Sequence, residues 1–212
     1  MMRGYGQYCG LARALELVGE RWALLIIRNL LVGPKRFSDL KHGIPRIPTN
    51  VLTDRLKELE EAALVQRRVL PRPASGVVYE LTEYGSDLED AVVALSRWGA
   101  RSLGEMRPEE IVTVDSMTMA FRTTFRPAAA LGLFATYELR MGPIVLCLHV
   151  QDGKLLVEEG PAPDADIVVE AGTEIRALMA GEVSPARALA DGSVRIEGDA
   201  ALLDRFVQVF RI

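Results

Sequence analysis

The chain has 212 residues, 49% of them hydrophobic and 25% charged, the balance of an ordinary globular protein with room for one or two domains. A net charge of −4 argues against indiscriminate nucleic-acid binding. The two cysteines, Cys9 and Cys147, are too few and too far apart in sequence for a disulfide framework or a metal-ligand cluster.

The longest apolar run, Trp22 to Val32, is broken by Arg28 and Asn29 and is too short to span a bilayer. "MMRGYGQYCG" lacks a signal-peptide core. A cytoplasmic protein with no membrane partner is therefore expected. The overall charge conceals an asymmetry: up to Gly104, Lys and Arg outnumber Asp and Glu by 15 to 12, and beyond it they are outnumbered 10 to 17. Only the first half suits a phosphate backbone. The patterning changes at the same place, so a boundary is expected near Gly104 to Glu110, with domains at residues 1–104 and 105–212.

In chain order, Leu11, Leu15 and Val18 recur at helical spacing and predict an amphipathic helix over 9–18. "ERWALLIIRNLL" predicts a largely buried helix stopped by Gly33-Pro34. "RFSDLKHGIP" predicts a short helix with Ser38 as N-cap and Asp39 in its first turn, ending by Gly43. The next helix takes Pro48 at its first position and carries Leu52, Leu56, Leu59 and Ala63 on one stripe, with Thr49, Thr53 and Lys57 on another. Glu58, Glu60 and Glu61 gather at its C-terminal end, where DNA would repel them. Two β-prone runs, "LVQRRVL" and "GVVYELT", flank "PRPASG", and "LTEYGSDLEDAVVALSRWGARSL" supplies a further helix with Leu88, Val92, Leu95 and Trp98 on one stripe.

Beyond the boundary, Met117, Met119, Phe121 and Phe125 alternate with Thr118, Ala120, Arg122 and Thr124, which predicts a long half-buried strand. "ATYELRM", "PIVLCLHV" and "KLLVEEG" predict three more, the last two joined at Asp152-Gly153. Then follow a strand "ADIVVEA", a helix capped by Thr173, a helix opened by Ser184-Pro185, a strand "VRIEG" and a helix capped by Asp199. The fold class is α+β: a helix–turn–helix with a winged hairpin, then an antiparallel-rich sheet with helices over one face.

An early cysteine, "LELVGERWALLIIRNLLVGPKRFSDLKHGIPRIPTNVLTDRLKELEEAALV", "YELTEYG" and the closing "RWG" resemble the HxlR-type winged-helix transcriptional regulators over residues 8–103. The resemblance implies a homodimer joined through the first and last helices of the domain, reading a palindrome in double-stranded DNA. Pro48 departs from it, since members often carry serine there. Some members sense oxidants or electrophiles through a cysteine near the dimer interface, which makes Cys9 the redox candidate. The tail "DADIVVEAGTEIRALMAGEVSPARALADGSVRIEGDAALLDRFVQVF" resembles the sterol carrier protein-like fold over about 165–210, which implies an apolar cavity for a lipid or other hydrophobic effector.

A winged helix enters the major groove through the first turns of its recognition helix. Asn50 can pair with adenine and Arg55, if it faces the groove, with guanine; Thr49 and Thr53 suit a phosphate or a thymine methyl. Lys57, Lys35, Arg36, Ser38, Arg46, Arg72 and Ser75 are candidates for backbone contacts. Candidates for a cavity lining are Met117, Met119, Phe121, Phe134, Leu146, Leu178, Met179 and Phe206, with solid core as the competing reading. Cys147 reads as core, and Arg122, Arg126 and Arg140 either meet a carboxylate or are ordinary surface charges. No phosphate-binding loop, nucleophile elbow or H-E-x-x-H motif occurs, and His42 and His149 lie far apart with no recognisable partner set. The expectation is a regulator that is not an enzyme and carries no cofactor. A lipid or hydrophobic-ligand carrier with secondary DNA binding is the alternative.

Overall fold

The computed structural model describes residues 4–104 and 106–212. They form two compact units, one ending at Val92 and the other beginning at Val93. The pattern change expected near Gly104 to Glu110 includes Glu105, which lies outside the described residues.

The first unit contains α1 (Gly10–Val18), α2 (Ala23–Val32), α3 (Phe37–Gly43), α4 (Thr49–Glu61), β1 (Val65–Leu70), β2 (Gly76–Leu81) and α5 (Glu83–Ser86), while α6 (Glu89–Ala100) crosses the division. Its core is Ala23, Ile26, Ile27 and Leu30 of α2, Leu40 of α3, Leu52, Leu56 and Leu59 of α4, and Ile44 and Ile47 in the turn between α3 and α4. β1 and β2 pair antiparallel from Val65–Leu81 to Leu70–Gly76. After Gly33-Pro34 stops α2, Lys35 joins this hairpin: its N–H donates to Tyr79 O (2.9 Å) and its carbonyl accepts from Tyr79 N–H (2.7 Å).

Four helix starts differ from expectation. The helix from Glu174 receives no side-chain cap from Thr173, and the helix from Ala201 is preceded by Ala200, with Asp199 Oδ1 accepting from Ala201 N–H (2.9 Å). The other two lie in the first unit. Ser38 is not the cap of α3, which begins two residues earlier than that cap would place it: the Asp39 carboxylate reaches back to the Arg36 N–H (2.9 Å), and a carboxylate is a stronger acceptor there than a hydroxyl. Pro48 precedes α4 with extended backbone (ψ 146°), so Thr49 is the first helical residue.

The "LTEYG" segment is explained by close packing. Thr82 Oγ1 accepts from Gly85 N–H (3.0 Å) and donates to Ala63 O (2.6 Å), tying α5 to the end of α4. A side-chain carbon at Gly85 would come within 2.0 Å of Leu64 O.

In the second unit, α7 (Val114–Thr124) and a 3-10 turn (Pro127–Ala130) precede β3 (Phe134–Met141), β4 (Ile144–Gln151), β5 (Lys154–Glu159), β6 (Ile167–Ala171), α8 (Glu174–Ala180), α9 (Pro185–Ala190), β7 (Val194–Gly198) and α10 (Ala201–Val209). The sheet order is β5-β4-β3-β6-β7, with β3 and β6 parallel and the other neighbours antiparallel. Two-residue turns close its hairpins. Gly142 (φ 57°) opens the turn from β3 to β4, and Asp152 (φ 47°) with Gly153 (φ 79°) makes the turn from β4 to β5, both needing left-handed backbone. Alternate residues, Tyr137 and Leu139 of β3 and Leu146, Leu148 and Val150 of β4 among them, face Phe121, Leu178, Leu203, Phe206 and Phe210 from the helices.

The segment expected as a strand over Met117 to Phe125 is helical as far as Thr124 and belongs to α7, with Phe125 extended just after it. Met117, Phe121 and Phe125 are also spaced by four, so the alternation was compatible with either period. The deciding feature is local: Thr113 Oγ1 accepts from Ser116 N–H (3.2 Å) and Ser116 Oγ accepts from Thr113 N–H (2.9 Å), a reciprocal cap that starts the helix.

Replacing Gly85 by Ala should destabilise the first unit by about 1–3 kcal/mol, the usual cost of forcing an atom into a packed site. A urea-unfolding midpoint equal to that of the wild type would show that α5 does not bear on Leu64 as described.

Candidate nucleic-acid interface and effector core

Burial of Leu52, Leu56 and Leu59, each at most 2% exposed, turns the opposite side of α4 outward. Thr49, Asn50, Thr53 and Lys57 are all exposed there. Thr53 Oγ1 donates to Thr49 O (3.0 Å), so its lone pairs and methyl are what it presents. Lys57 lies 3.8 Å from Glu61 across one helical turn, an exposed pair. Arg55 does not share the open face, because Glu58 and Glu20 both hold its guanidinium and only 19% of the side chain is exposed.

The wing is positioned by Arg36, whose Nη2 donates to Ala74 O (2.9 Å) and Ser75 O (3.0 Å). Gly76 permits that approach, since a side-chain carbon there would lie 2.4 Å from the guanidinium. Arg72 and Ser75 are exposed in the loop between β1 and β2, and Arg46 is exposed before α4. Ser38 is exposed, with its hydroxyl donating to Asp39 Oδ1 (3.2 Å), and Lys35 is half-buried along the hairpin.

The charges that follow α4 are largely engaged with one another. Arg67 pairs with Glu60 (2.6 Å) and Arg68 with Glu80 (2.7 Å). The glutamates at the end of α4 are therefore partnered by Arg55, Lys57 and Arg67. Sequence position alone hid this neutralisation, because Arg67 becomes a neighbour of Glu60 only when β1 folds back beside α4.

Cys9 is exposed immediately before α1. The backbone N–H of Ala12, and then that of Leu11, holds its thiol below the ordinary range. Leu11 and Leu15 of α1, and Leu95 and Trp98 of α6, are exposed; of the stripe expected on α6 only Val92 is buried.

In the second unit, Met119, Phe121, Leu146, Leu178, Met179 and Phe206 are buried in one core, and Met117 is partly buried against it. Phe134 departs from the expected lining: it is 71% exposed, because its place in β3 turns it to the sheet face away from the helices. Phe121, Phe206, Phe210 and Tyr137 pack at ring-centroid distances of 4.9–6.5 Å. Tyr137, absent from the expected set, is fully buried with an Oη that has no hydrogen-bond partner among the described residues. Burial pushes its pKa up to about 12. Arg140 pairs with the buried Glu138 (2.6 Å).

A helix–turn–helix with an attached wing, its helix α4 presenting small polar and basic groups, defines the first unit as a winged-helix DNA-binding module. The chain belongs to the HxlR-like helix-turn-helix family, whose model matches residues 17–107; residues 128–211 match the SCP-2 sterol transfer family. The HTH-type transcriptional regulator YodB of Bacillus subtilis is 44% identical over 85 residues, which span 40% of this chain and 76% of that protein. The uncharacterized HTH-type transcriptional regulator Rv3095 of Mycobacterium tuberculosis is 48% identical over 99 residues, 46% of this chain and 60% of that one. The solved reduced form of YodB aligns at 37% identity with a TM-score of 0.41, covering 48% of this chain and 100% of that chain. Among the described residues no helix is long and apolar enough to cross a membrane, and no group of acidic, histidine and cysteine side chains could hold a metal ion.

Arg36→Ala should free the wing tip and lower DNA affinity several-fold. Proteolysis within 71–76 that is no faster than in the wild type would argue against Arg36 as the clamp.

Proposed function

We propose that the protein is a sequence-specific transcriptional regulator that binds a palindromic operator as a homodimer. The observation that carries this reading is the outward face of α4, where Thr49, Asn50, Thr53 and Lys57 stand exposed opposite a buried leucine stripe. Residues 1–104 are assigned to DNA binding and dimerisation, and 105–212 to an effector or dimerisation role. Exposed Leu11, Leu15, Leu95 and Trp98 support pairing through the first and last helices, since water-facing apolar side chains of this size favour a partner surface. Asn50 reads a base edge, while Lys57, Arg46, Arg72, Thr49, Thr53 and Ser75 grip the backbone.

Arg55 enters this scheme as a residue that changes partner. An ion pair with a half-exposed or exposed carboxylate is worth about 0–1 kcal/mol, whereas a bidentate guanine contact discriminates by about 1–3 kcal/mol, so exchange of Glu58 and Glu20 for a guanine is favourable where one is in reach. Exposure and a lowered thiol pKa support Cys9 as an oxidant-responsive group. Binding that weakens on oxidation in the wild type and equally in Cys9→Ser would exclude it.

Lys57→Ala and Arg72→Ala should each weaken binding to all sequences and reduce the salt slope by about one, while Asn50→Ala should lose discrimination between operator and random DNA. Titrations at several salt concentrations test both, and unchanged slopes would remove Lys57 and Arg72 from the interface.

A second reading, a carrier of a hydrophobic ligand with secondary DNA binding, is favoured by the unpartnered Tyr137 Oη in an apolar core. In the ligand-free protein Tyr137→Phe should be neutral or stabilising by about 1 kcal/mol, because a buried hydroxyl without a partner carries its desolvation cost. If a hydrophobic ligand with a polar head uses Oη, the same variant should bind it more weakly. Such a ligand can regulate DNA binding only by favouring one dimer geometry over another, and equal operator affinity with and without it would argue against a switch.

A further inference from the structure

The sheet face away from the helices carries a side-chain cluster that the DNA-binding reading does not use. Cross-strand pairing sets Thr136, His149 and Leu156 in one row and Glu138, Cys147 and Glu158 in the next. Cys147 Sγ lies 3.0 Å from His149 Nε2, Glu158 Oε2 lies 3.2 Å from the same nitrogen, and Thr136 Oγ1 lies 3.1 Å from His149 Nδ1. Behind them the buried Glu138 accepts from Ala162 N–H (2.7 Å) through Oε2, which draws the 160–164 segment over the sheet as a wall. The result is a cleft of about 370 Å³ lined by Thr136, Cys147, His149, Glu158 and the 159–164 segment, within the size range of small-molecule sites.

The imidazole is placed to act as a base. In the tautomer with its proton on Nδ1, His149 donates to Thr136 and offers the Nε2 lone pair to the thiol hydrogen, whereas in the other tautomer Nε2–H donates to Glu158. Once Nε2 takes that proton, the Glu158 carboxylate stabilises the imidazolium. Nucleophile, base and orienting partners within hydrogen-bond reach are the recurring arrangement of nucleophilic sites. Cys147 is buried, as expected, with 4% of its surface exposed; burial, and then the Glu158 and Glu138 carboxylates, hold its thiol above its ordinary range, so its resting form is the protonated one. Proton transfer has to accompany attack. Glu158, Glu159 and Asp164 line the cleft and no lysine or arginine does, which disfavours anionic ligands.

We propose that Cys147, His149 and Glu158 form a nucleophilic site that takes small uncharged carbon electrophiles of the α,β-unsaturated carbonyl class onto Cys147 Sγ. The Sγ electron pair forms a bond to the β-carbon as the thiol proton moves to His149 Nε2. The carbon–carbon π pair shifts to the α-carbon and carbonyl oxygen as an enolate. The α-carbon then takes the proton back from Nε2, giving a thioether with no leaving group and no net oxidation. DNA binding plays no part in this step, so it stands or falls separately from the regulator reading.

The test uses the full chain carrying Cys9→Ser and N-ethylmaleimide as the probe, with attachment to Cys147 followed by mass spectrometry. The folded protein should be modified completely, at a rate within tenfold of the urea-unfolded chain or faster. His149→Gln should slow the reaction at least tenfold and Glu158→Gln by a smaller factor, with circular dichroism confirming the fold of each. Should His149→Gln not fold, Thr136→Val, which removes the Nδ1 partner, should slow it several-fold. Iodoacetamide should outpace iodoacetate at Cys147 by a larger factor than it does on free cysteine. Modification only after unfolding, or a rate indifferent to His149 or Thr136, would overturn the proposal.

Discussion

The first unit depends on burial of one leucine stripe. Leu52, Leu56 and Leu59 lock the rotation of α4 about its axis, and with the helix fixed, the side chains on its far side have no choice of direction. Apolar burial of about 1.5–3 kcal/mol per leucine makes any other rotation costly. The same burial brings Ile44 and Ile47 under the preceding turn, which sets where α4 begins and so where Thr49 and Asn50 stand.

Electrostatics then refine what hydrophobic burial has placed. The run of glutamates at the end of α4 reads in one dimension as a repulsive end, yet Glu58 and Glu61 have basic neighbours within the helix and Glu60 gains Arg67 once β1 returns beside it. The field at this end is set by pairs, while the first turn of α4, around Thr49 and Asn50, carries no acidic side chain. Arg36 shows the same division of labour in the wing, where a residue that composition suggests for phosphate spends its guanidinium on the carbonyls of Ala74 and Ser75.

The second unit divides its two sheet faces between packing and polar chemistry. One face is closed by an aromatic cluster around Phe121, Phe206 and Phe210, and the polar atom trapped there, Tyr137 Oη, is an exception within an otherwise apolar interior. The other face is polar, and there the cleft and the titratable groups gather. α7 lies between the two family matches, residues 17–107 and 128–211, yet contributes Phe121 to the core of the second unit.

Much of the architecture was legible in the sequence because it rests on local rules. Helical spacing in α1, α2 and α4, the Gly33-Pro34 stop, the Asp152-Gly153 turn and the alternation in β3 and β4 act within a few residues, and the structure keeps them all. α7 is ambiguous in sequence because Met117, Phe121 and Phe125 satisfy two periods at once, and the reciprocal cap of Thr113 and Ser116 decides between them. What only the tertiary structure decided lies between elements and across turns: that Glu20 reaches Arg55 and Glu60 engages Arg67, that Phe134 faces outward, and that Thr136, Cys147, His149 and Glu158, from three different strands, meet at one point. Within "IVLCLHV" the alternation gives two faces but not which face meets water, because that depends on register with β3 and β5, and register is a property of the assembled sheet.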